Sequence, residues 1–437
     1  MASLMTRDLF EELIAARGRG LARGLYSVCS ANPLVLEAAL RRARNSGLPL
    51  LVEATANQVN QEGGYTGQRP RDFAVALESL RERLGLDPSL LAFGGDHLGP
   101  YPWRKLPAAK AMESAEELVR AFVEAGARKI HLDASMALGD DQGQPEPRLV
   151  AERAARLCAA AEDECAQGSG VGRATSLPIY VIGTEVPVPG GAQGSEEEGP
   201  RPTEPASHRE TLELHKEAFA RQGLEAAWER VAAVVVQPGV EFDVERVWPY
   251  RRTAARELLV AASGRTPPFF EAHSTDYQST AALAELVEDG FAFLKVGPAL
   301  TLALREALCG LSLIEAELEG LARPRFQETL LTVMRGDEGQ WRGYYQEGDD
   351  VTLLYALSDR WRYYWERPEL QAEFARLLSS LEGRRLPLGL LSQHLPRLGG
   401  PQGAASFDVL EGPRGLLLTA IDAELARYEA ACFPDKG

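Results

Sequence analysis

Three of the six histidines in this 437-residue chain stand where short apolar runs end. His97 closes LLAFGGDH with Asp96 directly before it, His131 and Asp133 lie two apart in KIHLDAS, and His273 precedes Ser274 and Asp276 in EAHSTD. Neutral imidazoles beside a carboxylate are a donor set for Zn²⁺, Mn²⁺, Ni²⁺ or Co²⁺. Comparable runs end in Glu53, Glu185, Gln237 and Lys295. On this pattern His97 and His273 ligate the metal, Glu185 completes a triad and Gln237 is a fourth donor. His131 either ligates or orients; with Asp133 it shares one side of a strand, because side chains alternate with period two. Asp96 is the proton-transfer group beside the ion, with Glu53 and Asp133 as further acid–base candidates. Adjacent residues point opposite ways in a regular strand, so Asp96 can join His97 only if the glycine-flanked strand end turns it inward.

Lys295 admits two chemistries: a Schiff base with a carbonyl substrate, or binding of an anionic, hydroxyl-rich one. Ser274, Thr275, Thr301 and the amides near Gly297 are candidate phosphate donors, since loops after strands seven and eight of barrel enzymes often hold phosphate. Asn57, Gln61 and Tyr65 in ATANQVNQEGGYTG, together with His131, Ser135 and Asp276, are candidate substrate contacts. Arg360 and Arg362 in SDRWRYYW offer a bidentate phosphate clamp. The alternative for Arg362 is stacking among Trp361, Tyr363, Tyr364 and Trp365.

What must position these groups is a repeat of eight strand-like runs: 24–33, 48–55, 90–97, 129–135, 179–186, 232–239, 269–275 and 293–299. They are β-branched or aromatic-rich and mostly not alternating, as strands covered on both faces are. Helical stretches separate them, several ending in glycine. Strand alternating with helix implies parallel strands joined by right-handed crossovers. Eight such units predict a (β/α)₈ TIM barrel, whose active site lies at the C-terminal strand ends. An open doubly wound sheet is the competitor, but no GxGxxG follows the first strand. The chain divides into an N-terminal helix (1–23), the barrel (24–324) and a helical C-terminal extension (325–437). An insertion or flap at 187–230 has an acidic, proline-bearing middle.

Composition narrows the function. A formal charge of −16 argues against nucleic acid, which needs a positive stripe. No apolar run is long enough to span a membrane, and the start, RDLFEELIAARGRG, reads as an amphipathic helix in place of an apolar leader. Five cysteines without CxxC spacing fit a reducing, cytoplasmic compartment.

The segments EATANQVNQEGGYTG, GGDHLGP, KIHLDASM, GTEVPVPGGA, VVQPGVEFD, EAHSTDYQ, LKVGPALT and SDRWRYYW together resemble the signatures of the Z-subunit family of class II tagatose-bisphosphate aldolases. The resemblance runs over nearly the whole chain. It implies a TIM barrel distantly related to metal-dependent class II aldolases, in which an Asp–His pair after a strand is similar to Asp96–His97 and a later metal histidine to His273. A second late histidine of those aldolases is replaced here by Gln237, a departure that counts against ordinary aldolase activity. The family implies one of two functions. The first is a metal-dependent ketohexose 4-epimerase, an isomerase of carbohydrate metabolism interconverting D-tagatose and D-fructose or their 6-phosphates by C3–C4 cleavage and re-formation. The second is a non-catalytic subunit that stabilises an aldolase. A homo-oligomer, or a complex with an aldolase subunit, is expected.

Overall fold

Eight parallel strands close on themselves in the order one, eight, seven, six, five, four, three, two. In chain order they are Leu25–Val28, Leu50–Thr55, Leu91–Leu98, Lys129–Leu132, Ile179–Ile182, Val231–Val235, Phe269–Ala272 and Phe291–Val296. Each overlaps one of the eight apolar runs, and the architecture is the TIM barrel expected from them. The computed structural model describes residues 8–168, 177–186, 199–261, 266–345, 348–398 and 412–434.

Local chemistry explains the elements. The helix Pro33–Ser46 starts where Asn32 Oδ1 accepts the amides of Leu34 and Val35, with Pro33 in the first turn, and stops at Gly47, whose φ of 66° is left-handed. Its apolar face (Val35, Ala39, Leu40, Ala43) packs into a core continuous with the strands. Such burial contributes roughly 25 cal/mol per Å² of apolar surface.

The loop after strand six holds a short antiparallel pair, Glu241–Phe242 with Val247–Trp248, which the apolar pattern does not announce. Between strands five and six runs the helix Pro205–Arg221, packed on helix Pro147–Gln167. Residues 187–198 of the expected flap lie outside the described residues. The returning limb is tied to strand six: the Thr203 amide donates to the Gln237 carbonyl at 2.8 Å and the Gln237 amide to the Thr203 hydroxyl at 2.9 Å.

Beyond the barrel come helices Arg325–Gly336, Asp350–Tyr355, Pro368–Leu381 and Leu388–His394, then a long one, Gly412–Cys432. This last helix returns to pack against Pro33–Ser46, Thr280–Glu288 and Pro298–Glu319. Arg42 reaches it through Asp422 and Glu429, both at 2.7 Å. Among the described residues no helix is long and apolar enough to cross a membrane.

Candidate active site

Strand three explains how neighbours in sequence reach one site. His97 has a left-handed φ of 48°, and the ladder to strand four slips between Gly95 and Leu98. A non-glycine residue there costs on the order of 1–3 kcal/mol and persists only where its surroundings over-determine it. Asp96 and His97 thereby both reach the barrel interior. The glycines around them are sterically required. A Cβ on Gly94 would sit 2.9 Å from the Lys129 carbonyl and 3.1 Å from Glu53 Cγ, and one on Gly99 only 1.6 Å from the Asp133 carbonyl oxygen.

Inside the barrel lies a fully buried layer of charge. Lys129 Nζ stands 2.9 Å from Glu53 Oε1 and 2.7 Å from Glu271 Oε2. Lys295 Nζ pairs with Glu53, with Asp96 Oδ1 at 3.0 Å and with Glu271 Oε1 at 3.5 Å. The Ser27 hydroxyl also donates to Glu53. Burial opposes a charged Lys295, but Asp96, Glu271 and Glu53 outweigh it and hold its pKa well above the usual lysine value. Lys295 is therefore an ammonium ion and not the free amine a Schiff base needs.

Next to this layer are Asp96, His97, His131 and His273, whose donor atoms all fall within 4.8 Å of one another, every residue buried. The three imidazole rings stand 4.8–5.1 Å apart, centre to centre. Each has a carboxylate behind or beside it. Asp133 Oδ2 lies 2.7 Å from His97 Nδ1, Asp96 Oδ1 lies 3.0 Å from His131 Nδ1, and Glu271 Oε1 lies 3.0 Å from His273 Nε2. Asp133 is held in turn by the Ser135 amide and hydroxyl at 3.1 and 2.7 Å. An ionised carboxylate only accepts, so Asp133 fixes the proton on His97 Nδ1 and Glu271 fixes it on His273 Nε2. The opposite nitrogens keep their lone pairs, the carboxylate–histidine arrangement typical of metal sites. Burial lowers the His273 pKa to about 4, keeping it neutral. Burial also disfavours a charged His97, yet Asp96 and Asp133 prevail and raise its pKa.

Two observations fit a divalent cation here. His131 Nε2 is buried without a hydrogen-bond partner. Glu53, Asp96, Asp133 and Glu271 outnumber Lys129 and Lys295 by two in a buried space, an excess of carboxylate that an imidazolium or a bound cation has to offset.

The remaining expected residues divide. A cleft of about 1010 Å³, open mouth included, is lined by Asn57, Tyr65, Ser274, Asp276 and Lys295 along with Asp96, His97 and His273. Glu185 and Gln237 lie outside the cluster. Glu185 is exposed and accepts the Thr203 hydroxyl at 2.7 Å, while Gln237 Oε1 accepts the amides of Gly239 and Val240 at 2.8 and 3.0 Å. Gln61 donates to the Ser114 carbonyl at 2.9 Å, away from the cleft. Arg360 is also absent from the cleft wall, its guanidinium lying 3.5 Å from the Tyr344 ring centre and 4.5 Å from that of Tyr363; Arg362 lines the cleft instead. Reading strand ends alone overlooks Lys129 and Glu271. Each stands two residues before a site histidine, and a charge inside an apolar strand on that histidine's own side is the signal that finds them.

A closed parallel barrel with a buried imidazole–carboxylate–lysine cluster at its C-terminal rim defines a (β/α)₈-barrel protein with an enzyme-type site. More particularly, the chain belongs to the family described as D-tagatose-1,6-bisphosphate aldolase subunit GatZ/KbaZ-like, which matches residues 10–433. It is 47% identical over 428 residues to D-tagatose 6-phosphate 4-epimerase of Agrobacterium fabrum (strain C58 / ATCC 33970), covering 97% of this chain and 98% of that one. The crystal structure of a probable tagatose 6 phosphate kinase from Sinorhizobium meliloti 1021 is similar at a TM-score of 0.83 and 42% identity, over 94% of this chain and 100% of that one.

Proposed function

We propose that this protein is a metal-dependent 4-epimerase that interconverts D-tagatose 6-phosphate and D-fructose 6-phosphate. The observation that carries the reading is the cluster of Asp96, His97, His131 and His273, three of which, Asp96, His97 and His273, line one cleft with His131 buried behind them. The name of the relative that is 47% identical supports the substrate class. No lysine in this chain follows a glycine, so the phosphate-binding loop GxxxxGK[ST] lends no support to the kinase description of the neighbour.

The C4 hydrogen of a 2-ketose is β to the carbonyl and is not acidic, so deprotonation at carbon cannot invert C4. The remaining routes are transient oxidation, for which the chain offers no dinucleotide fingerprint, and cleavage of C3–C4 followed by re-addition. His97, His131 and His273 would hold a divalent ion such as Zn²⁺, Mn²⁺, Ni²⁺ or Co²⁺. When bound, the ion supplies Lewis-acid polarisation of the C2 ketone.

The protein's own groups do the rest. Asp96, which lines the cleft where Glu53 does not, accepts the O4 proton. The O–H pair becomes the C4 carbonyl, and the C3–C4 pair passes to the three-carbon enediolate. After the aldehyde turns its other face, the pair returns to C4 and Asp96 gives the proton back to O4, so atoms and charge balance. The Lys295 ammonium, 3.0 Å from Asp96, offsets the negative charge, and Asn57 and Tyr65 in the cleft wall retain the aldehyde fragment.

The test uses purified, metal-analysed protein alone with both 6-phosphates. Interconversion, with incorporation of labelled glyceraldehyde 3-phosphate when dihydroxyacetone is present, is expected. Absence of turnover by metal-loaded protein refutes the reading. If that inactive protein raises the activity of an aldolase, the stabilising-subunit function takes its place.

A further inference from the structure

The cleft must also receive the phosphate end of the substrate, and the usual barrel position for it is already filled. Asp276 Oδ1 accepts the amides of Gly297 and Ala299, at 3.0 and 2.7 Å, at the N-terminus of helix Pro298–Glu319. The Thr275 hydroxyl donates to the Lys295 carbonyl at 2.5 Å, and that of Thr301 to Asp359 at 2.6 Å. A carboxylate of the chain itself stands where an anion would bind.

Other donors of the same cleft are uncommitted. Asn32, only 9% exposed and in the cleft wall, uses Oδ1 to accept the amides of Leu34 and Val35 at 3.0 and 3.4 Å. That cap fixes which end of the amide is oxygen, because a flipped side chain would set NH₂ against two N–H donors. The Nδ2 group left over is buried and has no hydrogen-bond partner. Ser30, buried in the same wall, accepts the Asn32 amide at 3.2 Å, which leaves its hydroxyl proton free to donate.

Arg362 lines the cleft too. Its Nη1 donates to the carbonyls of Ser358 and Asp359, and Nη2 to the Tyr363 hydroxyl at 3.1 Å, with the guanidinium 4.5 Å from the Tyr363 ring centre. A guanidinium has five N–H groups, so Nε–H and one Nη2–H remain. No carboxylate lies within ion-pair distance of it among the described residues, although the chain carries 63 acidic side chains. Glu366, the nearest acidic residue along the chain in this wall, is exposed at the mouth.

We infer that Asn32, Ser30 and Arg362 form the subsite for the terminal phosphate monoester, at the N-terminus of the helix after strand one. This inference rests on the 4-epimerase reading for the identity of the ligand. The backbone amides of this helix end are taken by Asn32, so its contribution is the positive end of the helix dipole; with it, an amide donor that nothing else satisfies and a cation without a carboxylate partner suit a phosphate.

The test is a substrate-discrimination ratio backed by a binding measurement. Asn32→Asp keeps the capping oxygen and the shape but replaces the free donor by a negative oxygen. Arg362→Gln removes the charge and keeps an amide donor for the carbonyls. The ratio of kcat/KM for D-tagatose 6-phosphate over D-tagatose is expected to fall about 100-fold in Asn32→Asp and at least about 10-fold in Arg362→Gln. Calorimetric titration of the full metal-loaded chain with inorganic phosphate is expected to show an affinity at least about tenfold weaker in each variant. Where either variant does not fold, Asn32→Ser and Arg362→Lys replace it, with a smaller fall in the same direction. An active wild type whose ratio and phosphate affinity are unmoved by the substitutions overturns the subsite. So does equal loss on both sugars with phosphate binding unchanged. A wild type inactive on both sugars, whose phosphate binding the variants nonetheless weaken, refutes the 4-epimerase reading and supports the subsite.

Discussion

Glu271→Gln separates a structural charge from a functional one, because the substitution keeps volume and one acceptor oxygen. Glu271 is fully buried, pairs with Lys129 at 2.7 Å and Lys295 at 3.5 Å, and accepts from His273 at 3.0 Å. Burial opposes its ionised form, but Lys129 and Lys295 overcome that and hold its pKa well below the usual carboxylate range. Breaking a buried pair on one side costs about 3–5 kcal/mol. Gln still accepts from His273, and Lys129 keeps Glu53 at 2.9 Å, so the lower end applies, about 3 kcal/mol. With an unfolding entropy of about 2.1 cal/mol/K per residue over 437 residues, that is roughly 0.9 kcal/mol/K, or a Tm drop of about 3 °C. The same change removes the carboxylate behind an imidazole proposed to bind the metal, for which a loss of about 10–100-fold in metal affinity is typical. Thermal unfolding of the chelated protein reads the first effect, and chelator competition in the folded protein reads the second. Exposed Glu225→Gln is the control, expected within about 0.5 kcal/mol of wild type. A Glu271→Gln protein with unchanged Tm and unchanged metal affinity would refute the claim that this carboxylate orients His273.

Gly99→Ala is expected to abolish soluble expression, because its Cβ would meet the Asp133 carbonyl oxygen at 1.6 Å; Gly336→Ala, with nothing within 4 Å, is expected to be neutral or to stabilise by up to about 1 kcal/mol. Chelation of the purified protein is expected to abolish epimerisation and lower Tm by several degrees, since a ligand at about 1,000 times its Kd contributes about 4 kcal/mol, with both restored by adding the ion back. His215 gives a pH dependence: burial lowers its pKa to about 4 in the folded state against 6.5 as the ordinary value. The unfolded chain therefore binds the proton first, stability is complete above pH 6.5, and up to roughly 3 kcal/mol is lost as pH falls from there toward 4. Denaturant titrations of His215→Gln should lack this share of the slope over that interval, and an identical slope would remove His215 as its source.

The fold was legible because burial on both faces forces apolar runs, and the barrel strands fall on all eight of them. The centre of the candidate site was legible as well, since His97, His131 and His273, which the fold brings together, sit where those runs end. Its edge was not. Period two governs a side chain only inside a ladder; past the last hydrogen bond the loop decides. Glu185 and Gln237 stand at strand ends by position, yet their loops turn them to Thr203 and to the amides of Gly239 and Val240.

The same rule explains the arginines of SDRWRYYW. They lie in a 3₁₀ turn, Arg360–Tyr364, where three residues complete a turn, so positions two apart point about 120° away from each other and do not face the cleft together. Arg362 reaches the cleft wall and Arg360 packs between tyrosines. In the reverse sense, Asp96 and His97 share a direction that alternation forbids, because a left-handed residue and a register slip come between them. The candidate site thus sits where the regular pattern breaks. The glycines at 94, 95 and 99 marked that place in the sequence, and each is there because backbone or side chain approaches too closely for a Cβ.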